Sequence, residues 1–133
     1  MLGYLKKYPF SLALIALVCY LSLFRPPKVD DLPLFPGFDK LVHFCMYGAI
    51  SGMLWLEFLR NHRRGVEVLW HAWIGAVLCP VVMSGAIELL QSYCTSYRSG
   101  DWLDFLANSC GVAAATAFAW FVMRRWFARK EVR

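Results

Sequence analysis

The chain has 133 residues, of which 59% are hydrophobic and 17% charged, with a mean hydropathy of +0.48. Soluble domains average roughly 45–50% apolar and about 25% charged, so this balance argues against a soluble globular protein. The length suits a single domain over residues 1–133. The net charge of +5 comes with no nucleic-acid motif, and no nucleic-acid partner is expected.

The first apolar run covers residues 9–24 behind Lys6 and Lys7. A basic pair before an apolar run resembles a secretory leader, but "SLFRPPKVDD" offers no small-x-small cleavage site. An uncleaved span is expected. The segment "RPPKVDDLPLFPGFDK" follows, with four prolines and a glycine in sixteen residues, too many to be helical throughout. Its Leu32, Leu34, Phe35 and Phe38 are expected to dip into the membrane interface, and Asp39 to cap the next helix. A second span is predicted over residues 41–59 and the basic turn "RNHRRGVE" after it, with His62 in that turn. A third span covers residues 68–90; the short link "CTSYRSG" joins it to a fourth over residues 103–127, capped by Asp101. Each window approaches the roughly 17–25 residues that a spanning helix needs. The predicted fold is therefore all-α, an integral membrane bundle of four transmembrane helices; a soluble all-α bundle is the rival.

Ten basic residues lie at the N-terminus, the basic turn and the C-terminus, against Arg25, Lys28, Lys40 and Arg98 on the other side. By the positive-inside rule both termini are cytoplasmic, in an inner or plasma membrane. The basic residues then serve as topology signals and anchors for anionic headgroups. His71, Trp70, Trp73, Trp102 and Trp126 sit near span ends, where aromatic belts belong. Gly48, Ser51 and Gly52 in span two, Gly75, Ala76, Ser84, Gly85 and Ala86 in span three, and Gly111 and Ala113 to Ala115 in span four mark packing faces. Span one lacks such glycines and reads as the peripheral helix.

The polar residues are not scattered. Asp39, His43, Tyr47 and Ser51 share one face of span two; Ser84, Glu88 and Gln91 share one face of span three; Asp101, Asp104, Asn108 and Gly111 share one face of span four. An ionisable group inside a span costs about 2.5–3.5 kcal/mol on insertion scales and usually faces the bundle interior. The stripes should therefore meet at the outer end and line a polar pocket of Asp39, His43, Glu88, Gln91, Arg98, Asp101, Asp104 and Asn108. The expected pairs are His43 with Glu88, and Arg98 with Asp101 or Asp104.

These residues carry a resemblance. "DKLVHFCMYGAIS" is similar to the Asp-Lys-x-x-His segment that opens a span in VanZ-like membrane proteins. "IELLQSYCTSYRSGDWLDFLANSCG" resembles that family's Glu-x-x-Gln, Arg-x-x-Asp-x-x-Asp and Asn-x-x-Gly elements in the usual order. The likeness covers roughly residues 37–120. It implies a small multispan envelope protein; the name-giving member raises resistance to the lipoglycopeptide teicoplanin.

Several chemistries remain to be weighed on these residues. Glu88 beside His43 fits a general acid–base pair, or a hydrogen-bonded lock that fixes one helix packing. Arg98 fits a bidentate grip on a lipid phosphate, or a salt bridge to the aspartates. The leading expectation is binding of an envelope lipid or lipid-linked precursor such as a polyprenyl-phosphate, with a glycopeptide as a further ligand class. The alternatives are a membrane hydrolase or transferase using Glu88, His43 or Asp104, and a structural or partner-binding subunit. No cofactor is expected. A metal held by His43, Glu88, Asp101 and Asp104 is conceivable, but no zinc spacing of Cys and His appears; carboxylate ligation of calcium or magnesium is the lesser alternative, and no metal is assigned. Cys19, Cys45, Cys79, Cys94 and Cys110 read as small apolar residues, with a Cys94 disulfide to Cys45 or Cys110 as a lesser alternative. Ser84, Ser92 and Ser99 have no activating motif.

Overall fold

Pro9 opens the first helix, α1 (Pro9–Leu23), at the position where a missing N–H costs nothing. The structure is a computed structural model in which residues 6–24, 37–62, 69–94 and 101–131 are described, the side chains of Cys94 and of residues 128–131 excepted. The expected interfacial residues Leu32, Leu34 and Phe35, most of the basic turn, Arg98 with its predicted pairings, and the Cys94 thiol lie outside the described residues.

The second helix, α2 (Phe38–Asn61), is entered through Gly37, whose φ of 90° lies in the left-handed region that favours glycine. Asp39, expected as the cap, falls in the first turn instead, where its charge still meets the positive end of the helix dipole. The third helical run, α3, joins Leu69–Trp73, a π-helical turn Ile74–Leu78, and Cys79–Cys94. The fourth, α4, joins Trp102–Phe118, a second π-helical turn Ala119–Met123, and Arg124–Glu131. Asp101 caps α4 as expected, its side chain accepting the Leu103 N–H at 2.9 Å.

The π-turn of α3 has a covalent origin. Pro80 has no N–H to offer the Ala76 carbonyl one turn earlier, and its ring crowds that oxygen. The chain widens, and the Cys79 N–H reaches back to Ile74. Ser51 of α2 donates its hydroxyl to the Ala76 oxygen at 2.6 Å. A proline is thus accepted inside a span because a neighbouring helix satisfies the freed carbonyl.

The described residues are helical, without strands. Three stretches are long and apolar enough to cross a membrane: Phe38–Asn61, Leu69–Tyr93 and Trp102–Phe127. The fourth expected span, α1, is equally apolar, but its 15 residues rise only about 22 Å against a hydrocarbon core of about 30 Å. Large apolar side chains cover the outside, among them Leu17, Leu78, Val82, Leu89, Leu106 and Phe121. In water that surface would be prohibitive; in lipid it is solvated.

The closest packing joins α2 to α4. A Cβ placed on Gly111 would collide with the Phe44 carbonyl oxygen and lie 3.0 Å from the Gly48 nitrogen. Glycine is therefore required there by backbone-to-backbone contact. Gly75, also read as a packing residue, has nothing near its would-be Cβ. Two apolar clusters fill the interior: Val18, Tyr47, Ile50 and Val112 below the polar end, and Trp55, Phe58, Ala72, Ala76 and Ala119 towards the opposite end.

The peripheral α1 is pinned at both ends. The buried Glu57 carboxylate accepts the N–H groups of Phe10 and Ser11 at 3.1 and 3.0 Å, and the Ser11 hydroxyl as well. It caps α1 from another helix, where the dipole favours an anion. Near the other end, Gln91 of α3 donates to the Ser22 carbonyl at 2.7 Å.

Candidate functional site

Three polar stripes meet where α2 and α4 begin and α3 ends. Lys40 is at the centre: its ammonium lies 2.9 Å from Asp101 Oδ2, 2.6 Å from Asp104 Oδ1 and 3.9 Å from Asp39 Oδ2. Beneath it, His43 Nδ1 lies 3.1 Å from Asn108 Oδ1. The Asn108 amide donates at 2.7 Å to Ser84 Oγ of α3. On its other side, His43 Nε2 faces Asp104 Oδ2 at 3.6 Å and Asp39 Oδ1 at 3.8 Å. Glu88 joins through the backbone, its Oε2 accepting the Asp101 N–H at 3.1 Å. The bond on His43 Nδ1 thus goes to Asn108, where the sequence suggested a pairing with Glu88.

The site is graded in depth. His43, Asp104, Asn108, Ser84 and Glu88 are buried. Above them, the side chains of Lys40, Asp101 and Asp39 are 35%, 44% and 58% exposed. The Leu103 amide, and then Lys40, hold the Asp101 carboxyl below its ordinary value.

Of the eight residues the sequence assembled, the structure brings together Asp39, His43, Glu88, Asp101, Asp104 and Asn108. Gln91 is turned towards α1 through its bond to Ser22, and Arg98 lies outside the described residues. Lys40 was read as a topology charge and as part of the Asp-Lys-x-x-His segment, and was not placed in the pocket. It is not on the face of Asp39 and His43, but its long flexible stem swings the ammonium back over them. Glu57 was also passed over, although a single carboxylate within "MLWLEFLR" is the kind of intramembrane charge that signals a partner.

A family model described as VanZ/LLP1 matches residues 4–124. The chain belongs to the VanZ/LLP1 family. No curated protein and no solved structure was found to match it. Membership and the apolar helices together identify a membrane protein of the VanZ type. The match reaches well beyond the motif region, into α1, and it includes every residue of the polar cluster.

Proposed function

We propose that this VanZ-type protein binds the headgroup of an envelope lipid or lipid-linked precursor at the end where α2, α3 and α4 converge. With the termini cytoplasmic, as the basic residues predict, that end faces the outer side of the plasma membrane. The observation that carries the reading is the partly exposed Lys40–Asp101–Asp39 rim lying directly on buried His43, Asp104 and Asn108. Charged groups at that depth are costly unless they pair or serve a ligand, and the exposed rim gives a headgroup access to them. Arg98, from the sequence, would supply a bidentate grip on phosphate. Occupancy of an envelope lipid would in turn change how teicoplanin-type antibiotics reach their target.

Native mass spectrometry of the gently solubilised protein tests this. A phospholipid or polyprenyl-phosphate adduct on the wild type that disappears in Arg98→Ala is the expected result. Equal lipid retention by both would refute it.

One observation favours a second reading, a purely structural lock. Lys40 ties α2 to α4, and Asn108 ties α4 to α2 and α3. Under that reading Asn108→Ala lowers thermal stability and leaves bound lipid unchanged.

A further inference from the structure

We infer that the far end of α4 holds one anionic glycerophospholipid by its phosphate, at a site separate from the polar cluster. A cavity of about 300 Å³ opens there, lined by Trp120, Phe121, Arg124 and Arg125. The helical rise from Trp102 to Arg124 is about 33 Å, which sets the arginines near the far edge of a hydrocarbon core of about 30 Å. Headgroup phosphates lie at that depth. Among the described residues no carboxylate comes within ion-pair distance of either guanidinium. Two arginines without an acid at a membrane boundary match an anion of the bilayer itself. A guanidinium offers a fork of N–H donors that fits phosphate oxygens two at a time. A zwitterionic headgroup brings an ammonium that the same arginines repel, so the charge selects a net-negative lipid.

Two features besides the charge show that the site is built. The Arg124 guanidinium carbon lies 4.5 Å from the centre of the Trp120 ring, a cation–π contact that orders a long side chain. Trp120 packs on Trp73 at 5.9 Å, and Trp73 on the fully buried Trp55 at 5.8 Å. A chain of indoles thus orients the arginine from the apolar core, which lowers the ordering cost of binding. The second feature is the π-turn Ala119–Met123, closed by the Arg124 N–H on the Ala119 carbonyl. Unlike the π-turn of α3, it has no proline after it to cause it. Such turns recur at functional sites, and this one places Trp120 and Phe121 one turn before Arg124 and Arg125. Phe121, exposed to lipid, then lies along the first acyl carbons.

The test is native mass spectrometry of the purified full-length protein, delipidated in detergent and titrated with phosphatidylglycerol or phosphatidylcholine. Both titrations are run on the wild type and on Arg98→Ala, which separates this site from the headgroup site proposed at the other end. In both proteins one phosphatidylglycerol should bind at least about fivefold more tightly than phosphatidylcholine. Arg124→Gln should weaken that binding by about fivefold or more, the effect of roughly one basic residue at an anionic surface, and Arg124→Lys by less. Arg124 is exposed, so neither variant threatens the fold. Arg60→Gln, at the same end of the bundle but outside the cavity, should leave binding unchanged. Equal losses in Arg60→Gln and Arg124→Gln would reduce the site to diffuse surface attraction and overturn the proposal, as would equal affinity for the two lipids. Displacement of the lipid by equimolar inorganic phosphate would overturn it too, by assigning the cavity to a free anion. Loss of the lipid in Arg98→Ala with Arg124→Gln unaffected would remove this site and leave the other.

Discussion

Ser51→Ala isolates one bond whose purpose is visible in the covalent chain. The hydroxyl is fully buried and donates at 2.6 Å to the Ala76 carbonyl, which Pro80 deprives of its helical partner. Interhelical hydrogen bonds in membranes average about 0.6 kcal/mol and reach about 1.7. An orphaned buried acceptor costs roughly 1–3 kcal/mol. The upper part of the membrane range, about 1–1.7 kcal/mol, is expected here, because Pro80 removes the N–H that an α-helix would offer that oxygen. Pro80→Ala restores an N–H one turn along, so Ser51→Ala should cost less in that background. The assay is a double-mutant cycle by reversible unfolding in mixed detergent micelles, and the expected coupling is about 1 kcal/mol. An equal loss in both backgrounds would show that Pro80 is not what makes Ser51 necessary.

Three further outcomes are expected. Gly111→Ala drives a methyl group into the Phe44 carbonyl and should cost at least about 1–3 kcal/mol, whereas Gly75→Ala, with open space around it, should be neutral or stabilising by up to about 1 kcal/mol; thermal denaturation of the pair in detergent checks the contrast. Glu57→Ala removes charged acceptors worth roughly 1.5–3 kcal/mol, so amide exchange at Phe10 and Ser11 should accelerate at least tenfold while that of α4 stays unchanged. The Asp101 carboxyl is held below its ordinary value by the Leu103 amide and Lys40, so it stabilises the fold above about pH 4 and loses that contribution as pH falls through its depressed value. A melting-temperature profile should therefore decline less steeply on the acid side in Asp101→Asn than in the wild type; identical slopes would remove Asp101 from the acid response.

Legibility followed the range of each interaction. Helical period places His43 with Asp39 and Asn108 with Asp104 before any fold is known, and burial cost sends those faces inward. Lys40 escaped because a face assignment follows the Cβ direction, while four methylenes let the charge act on a neighbouring face. Gln91 keeps the register predicted for it, yet its amide reaches α1, which the stripe pattern of α3 does not encode.

The sequence by itself determined the apolar helices, the convergence of their polar faces and the small-residue stripes along which helices can pack. Those features depend on composition and on the fixed 3.6-residue period, which local chemistry sets. Only the tertiary structure decided that Lys40 bridges the aspartates, that Glu57 caps α1 from another helix, that Ser51 answers Pro80, and that Asn108 lies between His43 and Ser84. Each is a contact between residues distant in the chain, fixed to within tenths of an ångström by how the helices rotate and slide against one another.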